Sequence, residues 1–234
     1  MISTLRASMS SSTSGAAGPE TIAVARATST DDVSTALAWA NARGIRVSVR
    51  GAGTGLSGGA VAYPGGLVIS LEAMNRILDI DVDNRLADVE AGVVTADLDA
   101  AALARGLFFP PDPASAQWST IGGNIATNAG GLRCIAHGVT TDVVAALEIV
   151  LADGRVMRTG ARTRKNTTGY DLTSLFTGSE GTLGVITAAT VRLKPVPPGK
   201  PRTFRASFDD IEEAGRAVTA IGSPSGCARE LSPA

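Results

Sequence analysis

The sequence predicts an α+β fold made of two parts. Three observations lead there. A strand–helix–strand pattern runs from Thr21 to Arg50. A glycine-rich segment follows it without helical periodicity. The chain is then strand-rich, with one clear hairpin signal, up to a proline cluster between Pro195 and Pro201.

Thr21 to Ala27 alternates weakly and reads as the first strand. Ser29 to Asp32 is a variant of a capping box, and Val33, Ala36, Leu37 and Ala40 follow helical spacing up to Gly44, which suits the C′ position. Ile45, Val47 and Val49 alternate with Arg46, Ser48 and Arg50 as the second strand. Leu67 to Leu71, Ile77 to Ile80 and Leu86 to Glu90 are further strands, and Thr95 is expected to cap a helix that runs to Arg105 and stops at Gly106. The stretch Pro110 to Gly131 is expected to be irregular. Val143 to Leu151 and Arg155 to Thr159 form a hairpin about Asp153-Gly154. Asp171 to Phe176 reads as a short helix and Leu183 to Leu193 as a strand. Past the prolines come a strand, Thr203 to Phe208, and a helix, Asp209 to Ile221. The expected organisation is a disordered leader over 1–19, one domain over 20–198, and the start of an incomplete second domain over 199–234.

Hydrophobic residues at 44% against 18% charged residues allow a sizeable core and exclude global disorder. A net charge of −1, spread along the chain, gives no electrostatic case for nucleic acid or an anionic membrane surface. Cys134 and Cys227 lie far apart and outside any CxxC pair, which argues against a metal site or a disulfide framework and fits a reducing cytoplasm. The serine-rich segment Met1 to Pro19 lacks an apolar h-region and an acidic residue, so it is not a secretory signal, and only Arg6 speaks for a transit peptide. No apolar run reaches the roughly 18 residues needed to span a bilayer.

Three motifs carry chemistry. The first is Arg50-Gly51-Ala52-Gly53-Thr54-Gly55-Leu56-Ser57-Gly58-Gly59. Successive glycines let backbone N–H groups converge on an anion and let it approach closely, and Thr54 and Ser57 add hydroxyls. A nicotinamide fingerprint is rejected because Ala60 to Gly66 opens no helix. A glycine-rich turn with no ligand remains open for this loop taken alone. The second motif is Pro110-Pro111-Asp112-Pro113, then Ser115, then Ser119 to Gly131, where Ser119, Thr120, Gly122, Gly123 and Asn124 put small donors in a row. That is diphosphate chemistry and a poor recipe for a hydrophobic core; about 20 residues of loop without function would be unusual. The third is Lys165 to Leu172 followed by Gly178 to Thr187, in which Asp171 reads as a helix start.

Taken in order and spacing, RGAGTGLSGG, PPDPAS, STIGGNIATNAGG, KNTTGYDL and GSEGTLGVIT resemble the FAD-binding domain of the vanillyl-alcohol oxidase / p-cresol methylhydroxylase flavoproteins, and among them bacterial glycolate oxidase flavin subunits and D-lactate dehydrogenases. The likeness covers about Thr21 to about Pro198. It implies a two-subdomain FAD-binding fold, with a small βαβ-type subdomain and a larger, mainly antiparallel sheet flanked by helices. It implies that Arg50, Gly51, Ala52, Gly53, Thr54 and Gly55 wrap the FAD pyrophosphate. Asp112, Pro113, Ser115, Ser119 and Thr120 would line the rest of the FAD. So would Gly122, Gly123 and Asn124, then Thr127, Asn128, Ala129 and Gly130, and finally Glu180, Gly181, Thr182, Gly184, Val185 and Ile186.

Some relatives attach FAD to a histidine in the first loop. This loop has none, so the FAD is expected to be non-covalent. The single histidine, His137, stands where these dehydrogenases usually show tyrosine or a similar residue before Gly138, and it is read as structural. No metal is expected. In the family a cap domain beyond the prolines builds the substrate site, so the catalytic base and the carboxylate clamp are expected outside this sequence. The implied reaction is oxidation of a D-2-hydroxy acid to a 2-oxo acid by hydride transfer to the flavin. The electron acceptor is left open, and partner subunits are compatible with it. Two other readings stand beside it: a relative acting on another alcohol, such as an alditol, and an FAD-holding subunit or fragment without catalysis of its own.

Overall fold

A computed structural model describes residues 23–163, 165–199, 203 and 205–222. The expected leader, 1–19, and Cys227 lie outside these residues.

The small part consists of β1 (Ala23–Arg26), α1 (Thr30–Asn41), β2 (Val47–Arg50) and β3 (Leu67–Ser70). β3 lies between β1 and β2 and runs parallel to both. Ser29 caps α1 by accepting the Asp32 N–H at 3.2 Å. The Asp32 carboxylate reaches back to the Thr28 N–H at 2.8 Å and the Thr28 hydroxyl at 2.7 Å, one residue earlier than a regular box. Val33, Leu37 and Ala40 are the buried face of α1, at the spacing that puts them on one stripe.

The large part follows as β4 (Ile77–Asp81), β5 (Leu86–Glu90), α2 (Thr95–Leu103), β6 (Leu107–Phe108), α3 (Ile121–Thr127), α4 (Cys134–His137), α5 (Thr140–Val143), β7 (Val144–Val150), β8 (Val156–Gly160), α6 (Leu172–Phe176), β9 (Val185–Arg192) and β10 (Lys194–Pro195). Its main sheet has the order β4-β5-β9-β7-β8, antiparallel throughout, and β6 and β10 pair separately. The hairpin about Asp153-Gly154 is β7–β8. The two-subdomain α+β fold is thus the one observed. Each subdomain has its own core. Leu98, Phe109, Ile121, Ile125, Ile149 and Val191 belong to that of the large sheet, and Val33, Leu37, Ile69 and Met74 to that of the small one. The α1 helix joins the two: its core includes Val150 of β7 and Val185 of β9, Thr30 Oγ1 donates to Glu148 Oε1 at 2.7 Å, and Ser34 Oγ donates to the Gly154 carbonyl at 2.6 Å.

Three expectations need correction. Thr95 does not cap α2. Val94 is the N-cap, and the buried Thr95 hydroxyl instead donates to the Ser119 carbonyl at 3.0 Å and accepts from Asn124 Nδ2 at 2.7 Å. The stretch to Gly131 is not all loop, because α3 forms within it. The Thr120 hydroxyl caps it by accepting the Gly123 N–H, Ile121 and Ile125 are fully buried one turn apart, and Asn128 ends it in the left-handed conformation. Beyond the prolines the described residues 203 and 205–208 form no strand, whereas the expected helix is present as α7 (Ile211–Gly222).

Candidate cofactor site

Between β2 and β3 the chain crosses from Gly51 to Gly66 without a helix. From Ala52 to Ala60 no backbone N–H donates to an acceptor among the described residues. The hydroxyls of Thr54 and Ser57 are likewise uncommitted and exposed. Gly53 has φ +72°, a conformation that glycine adopts freely and a side chain does not. The Arg50 guanidinium folds back beneath the loop: a Cβ on Gly53 would stand 3.1 Å from Arg50 Nη2. Arg50 is half-buried, and no carboxylate pairs with it among the described residues. The loop therefore presents unpaired donors backed by an unpaired cation, the requirement of a diphosphate.

The opposite wall is α3 and the residues after it. Gly122 stacks so closely on Ala91 that a Cβ would lie 2.6 Å from the Ala91 Cβ, and any side chain on Gly51 would overlap the Thr120 hydroxyl. The row of donors expected here is largely spent within the protein. Ile121 N–H goes to the Val93 carbonyl and Gly122 N–H to the Ala91 carbonyl, both at 2.8 Å, while Ser119 and Asn124 are 3% exposed and bonded to Thr95. This wall gives shape; the donors come from the glycine loop.

The two walls enclose a cleft of about 410 Å³. It gathers Gly51 to Gly55, Ser115, Thr120, Gly122 to Asn124 and Thr127 to Gly130, and its third wall brings in Glu180, Gly181, Gly184, Val185 and Ile186. A neighbouring cleft of about 420 Å³ shares Val49, Ser57, Gly59, Glu180, Gly181, Gly184 and Val185 and adds Val150, Ala152, Thr182 and Leu183. Asp112, Pro113 and Ser119 line neither. Asp112 faces Arg133 at 3.4 Å and takes the Leu132 N–H on its carbonyl, and Gly131 lies against the same peptide. Asp112 and Pro113 thus hold the turn after α3. The floor of Val49, Leu71 and Ala91 was missed, as were Leu56, Gly59, Ala60 and Ala126. Val49 and Leu71 sit at the carboxyl ends of parallel strands, a location that marks such clefts, so strand position was the usable signal.

His137 lies elsewhere, in a cleft with Arg192 and Lys194. Burial, then the nearby charges of Lys194 and Arg133, push its pKa below the usual imidazole range, and its Nδ1 is 3.4 Å from Lys194 Nζ. Cys134 Sγ accepts the Gly131 N–H at 2.9 Å. Asp171 caps α6 through the Ser174 N–H, as its sequence position suggests. Among the described residues no cluster of three metal-ligating side chains occurs, and no helix is long and apolar enough to cross a membrane.

The model of a family described as an FAD binding domain matches residues 21–160. The chain belongs to this FAD-binding family. The domain is 47% identical over 192 residues to the GlcD subunit of glycolate oxidase from Bacillus subtilis, covering 82% of this chain and 41% of that protein. It is 50% identical over 176 residues to a D-lactate dehydrogenase of Archaeoglobus fulgidus, covering 75% and 39%. A D-2-hydroxyglutarate dehydrogenase of Xanthomonas citri pv. viticola is 44% identical over 180 residues, covering 77% and 38%. The FAD-binding domain thus spans about two fifths of the length of these relatives. Alkyldihydroxyacetonephosphate synthase shares its fold, with a TM-score of 0.66 at 24% identity over 75% of this chain and 34% of that one. The cleft fits the cofactor on its own evidence: unpaired amides and Arg50 for the pyrophosphate, glycines where a Cβ would intrude, and two joined hollows for an elongated dinucleotide.

Proposed function

We propose that this domain is the FAD-binding part of an oxidoreductase that converts a D-2-hydroxy acid of the glycolate or D-lactate type into the 2-oxo acid. The observation that carries the reading is the run of amides from Ala52 to Ala60, unpaired among the described residues, in a loop that lines a cleft floored by Val49, Leu71 and Ala91. Bound FAD supplies the hydride-accepting chemistry. Residues 50–55 hold the pyrophosphate through backbone N–H groups and the Arg50 charge. Ser115, Asn128, Ala129 and Gly130 line the far side of the cleft as seats for the flavin, and Asp112 with Pro113 fixes that side from behind. The FAD is held without a covalent bond, since the loop offers Thr54 where covalent relatives use histidine. Among the described residues no histidine or arginine lines the cleft, so the base and the carboxylate clamp are not drawn from it. A cytoplasmic location follows the cysteine usage.

A second reading, an FAD-holding subunit without its own catalysis, draws support from His137, the sole histidine, which lines a different cleft. The purified chain is expected to be yellow and to release FAD into the supernatant on heat or acid denaturation. A colourless folded protein that binds NADH instead overturns the proposal. Anaerobic mixing of the FAD-loaded chain with D-lactate, glycolate and D-2-hydroxyglutarate at millimolar levels should leave the flavin oxidised for seconds or longer. Fast bleaching places a complete active site in this chain and removes the second reading.

A further inference from the structure

Three described non-glycine residues, Arg85, Asn128 and Glu180, have left-handed φ, and of these only Asn128 and Glu180 line the cleft. Glu180 has φ +54°, between Gly178 at +81° and Gly181 at +76°. The turn needs that conformation: the Glu180 N–H donates to the Ala126 carbonyl at 2.8 Å and ties the turn to α3. A glycine would make the same hydrogen bond without the strain, which for a residue with a Cβ is on the order of 1 kcal/mol. Asn128, also left-handed at +47°, uses its side chain, which accepts the Thr141 N–H at 2.9 Å. The Glu180 carboxylate has no hydrogen-bond or ion-pair partner among the described residues. The protein accepts strain to keep an acid that binds nothing of its own.

The carboxylate is aimed at the cleft. A Cβ built on Gly59 would stand 3.1 Å from Glu180 Oε2, so the acid lies against the far end of the glycine loop. Glu180 borders both hollows and, among the described residues, is the only ionisable one common to the two. Arg50, behind the loop, and the unpaired amides mark the Gly53 end of the first hollow as the place of the diphosphate, and Glu180 stands by Gly59 at the other end of the loop, away from that charge. The group that follows a diphosphate along a dinucleotide, on the way into the second hollow, is the ribose of the nucleoside. Its two hydroxyls are donors, and an ionised carboxylate is acceptor-only.

We propose that Glu180 reads the hydroxyls of the adenosine ribose, and that it selects a dinucleotide with a free ribose diol over flavins that lack one. The inference rests on the FAD reading above. Ser57, at the same junction with a free hydroxyl, is placed to share the ribose.

The test is titration of the flavin-free 234-residue chain with FAD, with FAD analogues lacking the 2′- or the 3′-hydroxyl of the adenosine ribose, and with FMN. Wild type, Glu180→Gln and Glu180→Gly are compared. Wild type should bind at least one deoxy analogue about tenfold more weakly than FAD, the loss expected for a hydrogen bond to a charged group. Glu180→Gly should bind FAD about tenfold more weakly, should no longer distinguish the analogues, and should melt no lower than wild type because the strain is relieved. Glu180→Gln, which keeps one acceptor, should fall between. FMN should bind the three proteins alike. Equal binding of FAD and both analogues by wild type overturns the inference and leaves the FAD site standing. So does discrimination that survives in Glu180→Gly, or an FMN affinity that follows the substitution. A wild-type chain that takes up no FAD overturns the reading of the cleft itself.

Discussion

Residues 51–60 and 119–130 face each other across the cleft and are written in nearly the same alphabet of glycine, serine, threonine and alanine. In the first, the backbone amides beyond Gly51 have no acceptor among the described residues. In the second, Thr120, Ile121 and Gly122 are bonded within the protein, and Ser119 and Asn124 are buried in a network with Thr95. Small residues serve opposite ends. In the loop they leave donors free, and in α3 they let a helix press onto Ala91. A glycine-rich string signals close approach; what approaches, ligand or backbone, depends on where the hydrogen bonds go.

The sharpest way to break this contrast is a pair of glycine substitutions. Gly53→Val should reduce FAD affinity by at least about a hundredfold while the apo chain stays folded, because φ +72° and the Arg50 guanidinium resist a side chain in an exposed loop. Gly122→Val should instead destabilise the apo chain by about 3 kcal/mol, because its Cβ meets the Ala91 carbonyl oxygen at 2.9 Å as well as the Ala91 Cβ. Titration and urea unfolding of both variants separate the two roles; unfolding of Gly53→Val and folded, FAD-poor Gly122→Val would reverse them.

A smaller effect is expected from Thr95→Val. It strands Asn124 Nδ2 in a buried position and should cost about 1–3 kcal/mol in urea unfolding, with FAD affinity of the folded protein within about threefold of wild type. A large loss of affinity without a loss of stability would mean that the Ser119–Asn124 network serves the ligand directly.

The smallest effect concerns pH. Neither 51–60 nor 119–130 contains a titrating side chain, so acid-sensitive contacts lie outside both, and Glu148, at the joint between the subdomains, is one of them. Burial raises the Glu148 pKa, but hydrogen bonds from Thr30 and Arg158, with the Arg158 charge, outweigh it and hold the carboxyl below its usual 4.5. A depressed carboxyl stabilises the fold above its unfolded pKa and ceases to do so as pH falls through the folded value. Stability should therefore decline below about pH 4.5, and Glu148→Gln should flatten that decline in acid unfolding curves. An unchanged curve would move the acid-labile contact elsewhere.

The strands and α1 were legible because their apolar periods are regular, and the glycine loop was legible because Ala60 to Gly66 holds no helical pattern. α3 was not, since Gly122-Gly123 opposes helix by propensity and only the burial of Ile121 and Ile125 under the sheet overrides it. Asp112 and Pro113 looked like lining residues but support the turn from behind, a distinction that depends on Arg133 closing on Asp112 in three dimensions. The back-folded Arg50 and the strained Glu180 are likewise products of tertiary position. No local rule puts a glutamate at φ +54°.

Neighbouring parallel strands cannot be joined by a tight turn; the chain has to travel back along the sheet, which takes about a dozen residues whatever they are used for. Between β2 and β3 that return trip is the segment from Gly51 to Gly66. The anion cradle is therefore housed in chain that topology already demands, and its ends are fixed by two strands of one sheet. Shortening it would tear β3 out of register, whereas lengthening it near its exposed tip at Leu56 would leave both anchors in place. Variation among such proteins in the reach of the cradle should accumulate at that tip.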